Sequence, residues 1–221
     1  MSTFYARIGK RFFDAVVASI SLLLLAPLLA VLALLVKAAS PGPVFYRQER
    51  VGRDGKIFRI AKFRSMLVNA DRLGLHITSA GDPRITRIGR ILRACKLDEL
   101  PQLWNVARGE MSLVGPRPEV PRYVNSYSAA QREVLAIRPG VTDPASIAYR
   151  EEEKLLASQP DPERYYREVV LPHKLDLNRE YLSRMSFCYD AYLLARTISV
   201  VVIPGRQRAE LLPAQPAEDR K

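Results

Sequence analysis

Residues 15–36 read AVVASISLLLLAPLLAVLALLV, 22 positions without a charged side chain. As a helix this run reaches about 33 Å, enough to cover a hydrocarbon core of about 30 Å. So apolar a stretch excludes the buried helix of an ordinary soluble protein. It is also too long for a cleaved leader, and no small-x-small cleavage site follows before Lys37. Two features complicate a simple span. Pro27 removes a backbone donor in the middle of the run and crowds the preceding turn, so a bend is expected there. Basic residues also flank both ends: Arg7, Lys10 and Arg11 before, Lys37, Arg47, Arg50 and Arg53 after. Basic flanks prefer the cytoplasm. A straight span must export one set, whereas a helix that bends at Pro27 and returns keeps both inside. On the residues alone, the kinked span and the re-entrant helix both stand.

The whole 221-residue chain carries a net charge of +11, with 48% hydrophobic and 26% charged residues. That is enough apolar material for a core, and the charge asks for an anionic partner. Nucleic acid, acidic lipid and phosphorylated substrates are the candidates. Cys95 and Cys188 have neither metal nor disulfide spacing, which fits a reducing, cytosolic location. His76 and His173 have no partners in sequence that would make a catalytic or metal site.

Ser40-Pro41-Gly42-Pro43 breaks the chain after the membrane element. Short strands are expected at 44–46 and 57–60, joined by a turn at 53–56. Helices are expected at 85–95, with Ile85, Ile88, Leu92 and Cys95 on one face, and at 100–107, ended by Gly109. Another closes at 133–137. Two more, at 162–170 and 174–183, should be separated by Pro172, and an amphipathic helix should fill 189–203. The last of these could pack on the core, lie on the membrane or join a homodimer. The fold class is mostly α with a small β component: a membrane element at 1–40, a compact cytosolic α/β catalytic domain with amphipathic interfacial helices at 41–204, and a disordered tail at 205–221.

Arg84, Arg87, Arg90 and Arg93 recur every third residue and form a loose basic stripe leading into Lys96-Leu97-Asp98-Glu99. Asp98 at the start of the next helix reads first as an N-cap. The helix terminus and the arginines together would keep a carboxylate ionised and attract phosphate. An ionised carboxylate beside a phosphate can attack phosphorus, and two adjacent acids can hold Mg²⁺ that bridges phosphate oxygens. In Val114-Gly115-Pro116-Arg117-Pro118, Pro116 and Pro118 stiffen the backbone around Arg117, whose planar fork suits phosphate. Lys62-Phe63-Arg64-Ser65-Met66 and Arg138-Pro139-Gly140 add basic groups in similar settings. Residue types and spacing thus point to an enzyme acting on a phosphorylated substrate at a membrane. Two non-enzymatic readings compete. A nucleic-acid binder would show interleaved aromatics or a recognised motif, and neither is present, so no nucleic-acid partner is expected. An anionic-lipid scaffold would leave Asp98 dispensable.

From Arg11 to Thr197 the chain resembles the bacterial sugar transferases, the monotopic phosphoglycosyl transferases that start glycoconjugate assembly. The resemblance rests on Arg11-Phe12-Phe13-Asp14, Pro41-Gly42-Pro43-Val44-Phe45, Gln48-Glu49-Arg50-Val51-Gly52, Lys62-Phe63-Arg64-Ser65-Met66, Leu97-Asp98-Glu99-Leu100-Pro101-Gln102-Leu103, the run from Gly109 to Pro118, and Arg138-Pro139-Gly140. It implies a re-entrant helix entering and leaving on the cytoplasmic face of the bacterial inner membrane. It also implies a ping-pong reaction between a UDP-sugar and a polyprenyl (undecaprenyl) phosphate, with Mg²⁺, UMP as leaving product and a phosphosugar-aspartyl intermediate. Carried onto this chain, Asp98 is the nucleophile and Glu99 its partner at metal and phosphate. Arg93 and Arg117 would bind phosphate or nucleotide, with Lys62, Arg64 and Arg138 as further substrate-binding residues. Two stretches depart from the family's pattern. Ala26-Pro27 stands where Ser-Pro is frequent, and Val141-Thr142-Asp143-Pro144-Ala145-Ser146 stands where Gly-Trp-Ala-Gln often follows the Arg-Pro-Gly. The second departure and the acidic stretch at 150–153 leave the sugar open, and with it the O-antigen, capsule, exopolysaccharide or glycoprotein pathway served.

Overall fold

A computed structural model describes residues 5, 9–68, 70 and 82–202. Helix α1, Lys10–Ala39, runs for 30 residues with Pro27 inside it and no break in helical structure. Phe12, Ile20, Leu23, Leu24, Val31 and Leu34 are each more than half exposed. So large an exposed apolar surface calls for an apolar partner outside this fold. It touches the rest of the chain in two places, through Lys10, Asp14 and Ala18 near its start and through Leu32 and Val36 near its end.

Polar anchors hold both places. At the start, Lys10 Nζ donates to Asp190 Oδ2 at 2.5 Å, and Asp190 also accepts from Tyr5 and Tyr181. Asp14 accepts from Ser112 Oγ at 2.7 Å and from the Leu113 N–H at 3.2 Å. At the end, the guanidinium of Arg64 donates to Ser40 O at 2.7 Å, Pro41 O at 2.9 Å, Val36 O at 3.4 Å and Ser40 Oγ at 2.9 Å. Those carbonyls lie at and just beyond the helix end, where nothing intrahelical satisfies them.

Strand β1, Phe45–Val51, pairs antiparallel with β2, Ile57–Phe63, through a turn where Asp54 and Gly55 have φ of +57° and +77°. The hairpin is longer than the sequence indicated. Its outer half is only half-buried, so little apolar signal marks it. Helix α2 spans Arg87–Ala94 and starts on Thr86, whose hydroxyl accepts from the Gly89 N–H. Ile85 lies before it and bridges to Met66, and Cys95 is exposed, so of the expected apolar face only Leu92 is fully buried, with Ile88 partly so. A 3₁₀ turn, Leu97–Glu99, leads to α3, Gln102–Arg108, which Gly109 ends at φ +85°. Strand β3, Ser112–Val114, lies parallel to β4, Gly140–Thr142. This second sheet was not anticipated, because three-residue strands carry no readable alternation.

Short helices α4, Pro121–Val124, α5, Pro144–Ala148, and α6, Glu152–Ala157, cover one side. Residues 131–136 form a 3₁₀ turn rather than the end of an α-helix. Helix α7, Pro162–Tyr165, continues without interruption through a π turn, Tyr166–Val170, into α8, Leu171–Arg184. Pro172 therefore does not separate two helices. It occupies the first turn of α8, just after the widened turn, where its missing N–H costs least. Helix α9, Phe187–Val202, takes the place of the expected 189–203 helix. Ile203 and the tail at 205–221 lie outside the described residues, as does His76.

Among the described residues the fold is thus mostly helical, with two small sheets. One apolar cluster joins α1, α3, β3 and α9 through Ala18, Val106, Leu113 and Leu193, and another joins α1, β2 and α2 through Leu32, Phe63 and Leu92. Gly89 sits where α2 crosses the chain after β2, and a Cβ there would meet Ser65 O at 1.9 Å. Gly89→Ala is expected to lower stability by about 3 kcal/mol through backbone displacement. Gly55→Ala, in open space at positive φ, should cost only about 1 kcal/mol. Thermal unfolding of the two detergent-solubilised variants checks the difference.

Candidate functional site

Asp98 does not cap a helix. It sits in the 3₁₀ turn after Lys96, whose φ of +56° redirects the chain, and α3 begins only at Gln102 with Pro101 preceding it. Proline supplies a helix start that needs no donor, which leaves the aspartate side chain free of that duty. Asp98 is 6% exposed and lines a cleft of about 500 Å³; its Oδ1 is buried without a hydrogen-bond partner. The positive field around it therefore comes from Lys62, Arg93 and Lys96 rather than from a helix terminus.

Glu99 is held differently. Lys62 Nζ, from β2, contacts Oε1 at 2.8 Å, and Arg117 grips both oxygens, with NH1 to Oε2 at 3.0 Å. Burial, the largest single effect on Glu99, favours its neutral form. Arg117 and Lys62 overcome it and hold the carboxyl well below the usual range. Glu99 in turn raises the Arg117 guanidinium above its ordinary value. Burial pushes Asp98 up, and the neighbouring Glu99 charge adds to the rise; the cations oppose both. One acid is thus firmly ionised and paired, while its neighbour is desolvated and underbonded.

Arg93, from α2, lines the cleft and donates to Glu153 of α6. Of the expected stripe, Arg84 and Arg93 line the cleft, and of the two Arg93 pairs across it with Glu153. Arg84 precedes the helix in a buried pair with Asp82 at 2.6 Å, and Arg87 and Arg90 are exposed. Arg64 borders the cleft, but its terminal nitrogens are spent on the end of α1. Arg138 lies outside the cleft, donating to Gly109 O at 2.9 Å. Pro116 and Pro118 act through their carbonyls, which accept from Gly140 N and from Arg50 NH1. His173 meets the Tyr149 hydroxyl at 2.8 Å, away from the cleft lining.

The far wall was not legible in sequence. Glu119, Tyr123, Glu152, Glu153, Tyr166 and Lys174 line it from several helices and loops, and no local motif joins them. Arg50 also lines the cleft; the Gln48–Gly52 motif contains it but does not indicate its role.

Among the described residues no group of three or more His, Cys, Asp and Glu is placed to hold a metal. Both Glu99 oxygens already carry cationic partners, so the acid pair is not a two-carboxylate cage. The free Asp98 Oδ1 fits a divalent ion whose other ligands are phosphate oxygens and water.

A long helix with an exposed apolar surface is thus docked at both ends onto a domain whose cleft gathers cations around Asp98 and Glu99. The chain belongs to the bacterial sugar transferase family, whose model matches residues 5–204. It is 35% identical over 207 residues to a UDP-N-acetylgalactosamine-undecaprenyl-phosphate N-acetylgalactosaminephosphotransferase of Aeromonas hydrophila, covering 91% of this chain and 45% of that protein. It is 48% identical over 141 residues to a UDP-glucose:undecaprenyl-phosphate glucose-1-phosphate transferase of Caulobacter vibrioides, covering 62% and 53%. The exopolysaccharide production protein ExoY of Sinorhizobium fredii matches at 39% over 211 residues, 89% of this chain and 86% of that one. The chain thus spans about half the length of the first two relatives and most of the third.

Two outcomes follow from the acid pair. Glu99→Gln leaves Lys62 and Arg117 short of a counter-charge and should cost about 3 kcal/mol or more of stability. Asp98→Asn should raise the unfolding midpoint at pH 7. Its wild-type carboxyl has a folded pKa above the ordinary 3.8, so the ionised folded form carries a penalty as pH rises through that folded value. The advantage of the Asn variant should vanish below about pH 3.9, where Asp98 is protonated in both states. Unfolding midpoints measured across pH check both.

Proposed function

We propose that this chain transfers a sugar 1-phosphate from a UDP-sugar to a polyprenyl phosphate and releases UMP. The observation that carries the reading is a buried, underbonded Asp98 next to a Glu99 that Lys62 and Arg117 hold ionised. The names of the relatives support the substrate classes.

In the first step the Asp98 carboxylate attacks the β-phosphorus. An Asp98–O–P bond forms, the bridging P–O bond breaks, and UMP leaves with that oxygen and its electron pair. In the second step a polyprenyl phosphate oxygen attacks the same phosphorus and the Asp98 bond breaks, which yields a polyprenyl diphosphate sugar. Desolvation makes Asp98 a stronger nucleophile once ionised, and Lys62, Arg93 and Lys96 favour that ionisation. Arg117 and Lys62, already turned toward Glu99, stand ready for the negative charge of the donor phosphates. Arg93 would exchange Glu153 for a phosphate. Mg²⁺, held by Asp98 with phosphate oxygens, would neutralise charge between the two anions.

The site also has to meet a lipid. Residues 97–107 reach both ends of α1: Arg11 donates to the carbonyls of Val106 and Ala107, while Leu97 and Leu100 pack in the cluster of Leu32 and Val36. A straight helix would separate Arg11 from Leu32 by about 30 Å, whereas ten helical residues cover only about 15–20 Å. That mismatch favours a bend at Pro27 and a helix that enters and leaves on one face. Basic flanks at both ends favour the cytoplasmic face. The cleft then opens where a water-soluble donor and a lipid acceptor can both reach Asp98.

Incubation of the purified full chain with a panel of UDP-sugars, undecaprenyl phosphate and Mg²⁺ should release UMP from at least one donor. Without acceptor, one equivalent of UMP should appear and the protein mass should rise by one sugar phosphate. Asp98→Asn should abolish both while remaining folded, and normal turnover by that variant would sink the mechanism. Chelation of divalent ions should suppress the first step.

A further inference from the structure

Asp143 is wholly buried, and nothing in the transfer chemistry above uses it. It follows β4 directly and caps α5, with Oδ1 accepting from the Ser146 N–H at 2.5 Å. Capping needs one oxygen. The second oxygen, Oδ2, accepts from the Arg117 N–H at 2.9 Å and from Asn178 Nδ2 at 2.8 Å.

The contact with Arg117 is unusual for a simple reason. Pro116 and Pro118 have no N–H, so the Arg117 N–H is the sole backbone donor of that tripeptide. Asp143 takes it, while Gly140 N and Arg50 NH1 take the carbonyls of Pro116 and Pro118. The Arg117 N–H and the carbonyls of both flanking prolines are therefore held. Asn178 points the same way. Its Oδ1 is buried without a partner, so the residue is present for the donor that braces Asp143. An unsatisfied buried acceptor costs stability, and an apolar side chain would fill the space without that cost.

We infer that Asp143, braced by Asn178, is a positioning residue that acts through the Arg117 N–H to fix the Arg117 guanidinium at Glu99 and at the donor phosphates. It rests on the proposed transfer reaction for its consequence in turnover. The anchoring itself does not depend on that reaction.

Asp143→Ser separates the two duties of the side chain. Serine still caps α5, but its one oxygen does not supply the second acceptor at Arg117. In the full chain in detergent micelles, the Arg117 amide should exchange with solvent at least about tenfold faster than in the parent. The unfolding midpoint should move far less than the activity. UMP release should fall about tenfold to a hundredfold in kcat, with little change in KM for the UDP-sugar. In an Arg117→Ala background, Asp143→Ser should have no further effect on kcat. Unchanged exchange at Arg117, or kcat losses that multiply in the double variant, would overturn the proposal. If the parent chain releases no UMP from any donor, the proposed function fails, and exchange at Arg117 still decides whether Asp143 anchors the loop.

Discussion

A buried carboxylate, Asp98, lies beside a partly buried one, Glu99, and the arrangement of the cleft answers the repulsion between them. Unscreened like charges in a desolvated site cannot both stay ionised. Here the conflict is resolved unequally. Glu99 takes Lys62 and Arg117, and Asp98 keeps a bare oxygen. The hairpin of β1 and β2 delivers Lys62, and the proline-bracketed loop after β3 delivers Arg117. Helix α2 brings Arg93 to the same space from a third direction.

The membrane helix is tied into this arrangement through shared elements. Strand β2 carries Lys62 toward Glu99, and two residues later Arg64 binds the end of α1. Phe63 between them is buried among Leu32, Val36 and Leu92. Helix α3 follows the acid pair directly and receives Arg11 at its last carbonyls. Helix α1 and the cleft therefore share two short rigid connections, which fix where the cleft sits along the helix.

Some roles changed once the fold was known. Arg64 looked like a phosphate ligand because its motif is basic, yet a guanidinium beside a helix end finds carbonyls before it finds substrate. Arg138 looked similar, and it spends its donor on Gly109 O. Asp98 looked like a helix cap because a helix follows, but α3 starts at Gln102, after Pro101, two residues beyond the expected start. In each case the local backbone, which residue type does not reveal, set what the side chain meets.

The sequence by itself determined the long apolar helix, the mostly helical class, the adjacent Asp98–Glu99 pair with basic residues before it, and Arg117 between two prolines. These signals are local: an uncharged run long enough for a bilayer, an acidic pair beside basic residues, and an arginine between two prolines. Only the tertiary structure decided which acid is paired and which is bare. It alone revealed the two three-residue strands, the far wall of the cleft from Glu119 to Lys174, and the grip of Asp143 on the Arg117 N–H. Those features depend on contacts between residues tens of positions apart, and no periodicity or motif in one segment records what a distant segment will bring beside it.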